Sequence, residues 1–138
     1  MPKNEVIYCI VNEKGGQVNV KLRANNALAT GSEFALWASD GETERERWKL
    51  SAGATGEGTH PITASPKTIP GNYLSWAITV CSVLPAVDTG TVEIEISQDG
   101  VSCPLTKDLR WSLENVPQCD AAGENVIKIR RKLTFRKA

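Results

Sequence analysis

Histidine is almost missing from this 138-residue chain: His60, in the stretch "GEGTHPI", is the only one. A Ser–His or Cys–His nucleophilic pair would have to be built on that single imidazole. One histidine also leaves the usual zinc ligand sets incomplete, and Cys9, Cys81, Cys103 and Cys119 show no C-x-x-C spacing. The Gly-rich "GATGEG" lacks the Lys-Ser/Thr pair and the following helix that a phosphate loop needs. No metal and no cofactor is expected, and His60 is read as a loop histidine with a candidate place in a ligand-binding loop.

Long apolar runs are missing too. The longest nearly uncharged stretch, Ile69 to Val87, is broken by Pro70, Gly71, Asn72 and Pro85, so nothing reaches the roughly 18 residues of a membrane helix. The apolar run Val6–Val11 is too short for a secretory h-region and is followed at once by charged residues and Gly. A cytoplasmic location is the resulting expectation, although leaderless export leaves no such mark. In that setting the four thiols are expected reduced and mostly buried. Oxidised, they allow three connectivities, among them a loop-bridging Cys103–Cys119 pair. Helical periodicity is also lacking: no amphipathic stretch of ten residues emerges, and only Asn25–Gly31 and Asp120–Asn125 suggest a single helical turn.

What the sequence does contain is alternation. In "QVNVKLR", Val18, Val20 and Leu22 fall on one face and Asn19, Lys21 and Arg23 on the other; "TVEIEIS" repeats this with Val92, Ile94 and Ile96 against Glu93 and Glu95. That is the signature of antiparallel strands with one face on a core. Tyr73–Val83 sets Leu74, Trp76, Ile78 and Val80 on one face and small residues on the other, a face suited to close cover. Val6–Val11, apolar on both faces, is expected as a central strand. Ser32–Ala38, Thr43–Leu50, Leu109–Leu113 and Asn125–Lys137 supply further strands. In the last of these, Arg131 breaks the apolar face of Ile127, Ile129, Leu133 and Phe135, so a bulge at Arg130-Arg131 is expected to turn it outward. Asp-Gly and Gly-containing turns separate the segments. Ser51–Pro70 and Pro117–Glu124 read as the two long loops, the first anchored by Ile62 and Ile69. The whole chain, 1–138, is expected to form one all-β domain, an antiparallel β-sandwich of about seven to nine strands with little or no helix.

Charge is balanced in total, 16 bases against 16 acids, yet residues 128–138 hold six of the bases and no acid. Lys128, Arg130 and Lys132 stand at i, i+2 and i+4, a row of cations on one strand face. Such a row suits phosphates, an acidic protein or anionic headgroups, or else pairs with outward Glu93, Glu95, Glu44 and Glu46. Zero net charge and few exposed-looking aromatics argue against nucleic acid. Among the four tryptophans, Trp76 and Trp111 are in register with apolar neighbours and read as core. Trp37 is out of register with Phe34 and Leu36, so it is expected at the surface, where it is a candidate ligand contact.

One tripeptide hints at catalysis. Asp88-Thr89-Gly90 follows an apolar strand, as in retropepsin-like aspartic proteases, where two chains each bring one Asp to a shared site. That family also needs a second apolar-apolar-Gly element near the C-terminus, and neither Gly100 nor Gly123 supplies it. Pro85–Gly90 is therefore read as a turn, and no catalytic residue is expected. The function expected is a non-enzymatic binding or assembly module of unknown ligand, using loops or an edge strand. A homodimeric protease through Asp88 is the alternative, and a polyanion-binding module through Lys128, Arg130 and Lys132 the third. No membrane span is expected, and the oligomeric state is left open.

Overall fold

A computed structural model describes residues 6–40, 43–52, 58–82, 87–120 and 126–138. Among these the chain forms two packed five-stranded sheets, an all-β sandwich. In sheet A the order is β1 (Tyr8–Val11), β10 (Ile127–Lys137), β6 (Tyr73–Cys81), β3 (Leu28–Asp40) and β4 (Thr43–Ala52). Sheet B runs β5 (Gly58–Ile62), β2 (Val18–Asn25), β7 (Val87–Gln98), with β8 (Val101–Ser102) and β9 (Arg110–Val116) both paired to β7. A three-residue 3₁₀ turn, Pro66–Thr68, is the only helical element among the described residues.

The alternating faces meet between the sheets as expected. Val18, Val20 and Leu22 of β2 and Val92, Ile94 and Ile96 of β7 pack against Phe34 and Leu36 of β3, Leu74, Ile78 and Val80 of β6, and Ile129, Leu133 and Phe135 of β10. Burying each such side chain contributes about 1.5–3 kcal/mol, which offsets the chain entropy lost on ordering. Ile62 and Ile69 are fully buried, and they anchor the 51–70 segment.

Several expectations change. Ten strands form among the described residues, one more than the upper expectation, since the 51–70 segment is not one loop: β4 runs on to Ala52, and β5 pairs with β2. Pro61 is tolerated inside β5 because that strand has a neighbour on one side only. Asn25–Gly31 is not helical. Asn26 takes a left-handed φ of 55°, and β2 turns directly into β3. Of Asp120–Asn125, residues 121–125 lie outside the described residues. β1 is the last strand of sheet A, flanked on one edge by β10, which it pairs in parallel, and on the other by an isolated bridge only, so the sandwich is not purely antiparallel. Its other edge is occupied by the segment 104–106, where an isolated bridge joins Cys9 to Leu105 and the Ile10 N–H donates to the Pro104 carbonyl at 2.9 Å. The Arg136 guanidinium also lies 4.5 Å from the centre of the Tyr8 ring.

The expected bulge at Arg130-Arg131 is absent. Pairing with β6 runs unbroken from Ile127↔Val80 to Thr134↔Tyr73, and the register shifts fall instead at Leu36/Trp37 and Ala29/Gly31 of β3. The turn expected over Pro85–Gly90 is also corrected, since β7 begins at Val87. Thr89 pairs with Glu114 and Gly90 with Leu113 of β9. A Cβ on Gly90 would meet the Asn25 carbonyl at 3.1 Å and Val116 Cγ2 at 3.2 Å, so glycine serves a close approach here.

The cysteines divide. Cys81 and Cys119 form a disulfide that joins the end of β6 to the segment beyond β9, so those two are neither reduced nor paired as Cys103–Cys119. Around it the Ser82 N–H donates to the Pro117 carbonyl, and the Cys119 N–H to the Ser82 carbonyl, each at 2.7 Å. Cys9 and Cys103 are free and buried, as expected.

Candidate functional site

The strands place the expected site residues unequally. Lys128, Arg130 and Lys132 form an outward row on β10, and their β6 partners are Thr79, Ala77 and Ser75. Glu93 and Glu95 do not face this row; they lie in the other sheet, opposite Arg23 and Lys21. Nor does β4 supply acids to it, since β4 is separated from β10 by β6 and β3. Among the described residues no strand pairs with β10 ahead of Thr134 on the side away from β6.

A concave groove of about 1230 Å³ follows this half-strand. On one side its floor is the small-residue face noted in the sequence: Ala35 of β3 with Ser75 and Ala77 of β6. Trp37 stands at the end of that floor. Its ring stacks on Tyr73 at 6.3 Å, and its Nε1–H donates to Ser75 Oγ at 2.9 Å. Lys132 Nζ lies 5.4 Å from the centre of the Tyr73 ring, a cation–π contact that holds the ammonium beside the floor. Glu33 also lines the groove, but its carboxylate is 3.1 Å from Lys49 Nζ. That ion pair raises the pKa of Lys49, first through the hydrogen bond to Glu33.

On its other side the groove reaches the mouth between the sheets. Trp76 and Trp111 meet there with ring centres 5.9 Å apart, joined by Lys107 and Asp108 of the segment leading into β9 and by Arg110, the first residue of β9. Arg131 pairs with Trp76 across the strands and so keeps the core-side phase of β10. It is nonetheless exposed, because the sheets are open at this point, and its Nη1 donates to the Arg130 carbonyl at 2.7 Å. Trp76 is only 3% exposed, yet its Nε1–H has no hydrogen-bond partner. Five bases (Lys107, Arg110, Arg130, Arg131 and Lys132) line the groove against two acids, Glu33 and Asp108.

Other expected residues lie elsewhere. His60 is not in an exposed loop. It sits on β5 opposite Val20, half-buried, with a water-shielded Nε2 that lacks a partner, and it does not line the groove. Asp88 belongs to β7, with its side chain outside the described residues. No three His, Cys, Asp or Glu residues cluster as metal ligands among the described residues, and no helix there is long and apolar enough to cross a membrane. Sequence reasoning missed Arg131, Lys107, Arg110 and the unpartnered Trp76 indole. The signal was partly present, since Arg131 was the one polar residue in an apolar phase. No protein family, curated protein or solved structure matches this chain.

Proposed function

We propose that this domain is a non-enzymatic binding module whose groove along β10 receives an anionic group. The observation that carries this reading is a groove lined by five bases, Lys107, Arg110, Arg130, Arg131 and Lys132, against two acids, together with Trp76, whose buried Nε1–H has no acceptor. A buried donor without a partner costs about 1–3 kcal/mol, a penalty that a ligand oxygen at this position would relieve. The bases supply charge-assisted donors, and the small residues of the floor leave room for the ligand. Trp37 and the Trp76–Trp111 pair give the same groove apolar surface, so a carboxylate, sulfate or phosphate carried on a larger body suits it better than a free ion. The Cys81–Cys119 disulfide supports an oxidising setting over the cytoplasmic one.

Titration of the full chain with heparin, a sulfated polysaccharide, followed by tryptophan fluorescence, tests the proposal. Binding that weakens with salt and falls at least tenfold in Arg130→Glu/Lys132→Glu is the expected result. An equal loss in Lys21→Glu/Arg23→Glu, on the opposite sheet, would reduce the effect to general charge, and absence of binding at low salt would end the proposal.

The competing enzymatic reading, a homodimeric protease through Asp88, gains nothing from the extended pairing of Thr89 and Gly90 with β9. Proteolysis at acid pH that disappears in Asp88→Asn would establish it; none is expected.

A further inference from the structure

Cys9 and Cys103 come from different sheets. Cys9 lies on β1 of sheet A, and Cys103 directly follows β8 of sheet B. The backbone between them is laced tightly. Tyr8 N–H donates to Thr106 Oγ1 at 2.9 Å, Thr106 N–H to the Tyr8 carbonyl at 3.0 Å, and Ile10 N–H to the Pro104 carbonyl at 2.9 Å. Cys103 is held on its other side by its own N–H, which donates to the Ile96 carbonyl at 2.8 Å. Both thiols lie inside the core, and the bridge Cys9↔Leu105 sets Cys103, two residues before Leu105, diagonally across from Cys9 on the same face of the pairing.

We infer that Cys9 and Cys103 close to a second disulfide, which ties β1 to the segment that leads into β9. The two cross-links then sit at opposite ends of β10, since Cys9 is paired with Phe135 while Val80, beside Cys81, is paired with Ile127. This inference is independent of the groove's ligand, although Lys107 and Asp108, two of the groove's lining residues, belong to the tethered segment.

The pair is chemically asymmetric. The hydrogen bond to Cys103, and then burial, push the Cys9 thiol far up. The same hydrogen bond lowers Cys103, against the opposing effect of burial. Cys103 is also the more accessible, 7% exposed against 0% for Cys9. Cys103 therefore reacts first with an external small-molecule disulfide, RSSR. Its proton leaves to solvent, the thiolate attacks one sulfur of RSSR, and the departing RS⁻ takes up a proton as RSH. Cys9 then loses its proton and attacks the Cys103 sulfur, expelling the second RS⁻, which also leaves as RSH. Two protein thiols become one disulfide, and RSSR is reduced to two RSH.

The test uses the full chain in two samples: folded protein incubated with glutathione disulfide, and reduced, unfolded protein refolded in a glutathione redox buffer. Alkylation in denaturant followed by peptide mapping reads the outcome. A Cys9–Cys103 linked peptide beside Cys81–Cys119 in at least one sample is expected. The thermal midpoint should then rise by roughly 5 °C or more over protein with only the Cys81–Cys119 bond, because the new link closes a long loop. A Cys103→Ser control should keep Cys81–Cys119 and leave Cys9 alkylatable. Two alkylatable thiols in both samples, a glutathione adduct on each cysteine, or pairing of Cys9 or Cys103 with Cys81 or Cys119 would overturn the inference.

Discussion

On the outer face of sheet B, Lys21 stands opposite Glu95, Arg23 opposite Glu93, and Glu93 opposite Arg110 on its other side. On the outer face of sheet A, Lys128, Arg130 and Lys132 stand opposite Thr79, Ala77 and Ser75. Both faces come from strands with similar alternation, and both point away from the core. The difference is in their neighbours. Charges on sheet B complete one another across the ladder, where an opposite-charge pair contributes roughly 0.2–1 kcal/mol to the fold. The β10 cations have small, uncharged partners in the ladder, so no cross-strand acid offsets their field there. A zero net charge hides this contrast, because it sums over a matched face and an unmatched one.

The largest test of the contrast removes the tie between the sheets. Cys81→Ser/Cys119→Ser should lower stability by about 4 kcal/mol, the chain-entropy value for a link of this span, measured by urea unfolding. It joins the end of β6, the strand of Trp76, to the segment that follows β9, the strand of Trp111, so heparin binding should weaken with it. Unchanged stability would show that the link constrains little of the unfolded chain.

Next come the crossed charge reversals. Lys21→Glu/Arg23→Glu places acids opposite Glu95 and Glu93 and should cost about 1 kcal/mol of stability, with heparin affinity changed less than twofold. Arg130→Glu/Lys132→Glu should do the reverse: a tenfold or greater loss of binding with stability nearly unchanged. If both variants lose binding equally, the two faces do not differ in function.

The smallest effect is expected at Gly90. Ala there crowds the Asn25 and Asn26 carbonyls and Val116. Strain of about 1–3 kcal/mol is partly offset by the lower unfolded-state entropy of Ala, leaving a net loss near 1 kcal/mol. Urea unfolding should show that loss, while heparin binding stays as in the parent protein. A stabilised variant would mean that the turn at Asn26 yields easily.

Local pattern makes part of the fold legible in the amino-acid sequence alone. Strict alternation in 17–23, 73–81 and 91–97 sets which side chains face inward, because a strand has a period of two whatever its partner. Asp99 and Gly100 both take positive φ, 53° and 75°, as an Asp-Gly hairpin turn requires. The departures fall where partners decide. The apolar character of β1 suggests a centre strand, and the strand does have neighbours on both edges, but one of them is only the short bridged segment 104–106. Arg131 calls for a bulge only if the sandwich is closed beside it. The 51–70 stretch lacks period because β5 is short and contains Pro61, which an edge position tolerates.

The sequence by itself determined the all-β class, the inward faces of the main strands, the place of Trp37 outside the core and the outward cation row on β10. These follow from residue type and a period of two. Which strands are neighbours was decided only by tertiary structure. That choice matched the charges on sheet B, left those of β10 beside Ser75, Ala77 and Thr79, brought Trp76 to Trp111, and joined Cys81 to Cys119. Pairing between strands distant in sequence depends on the joint burial of both sheets' apolar faces, and no local stretch of the chain encodes that sum.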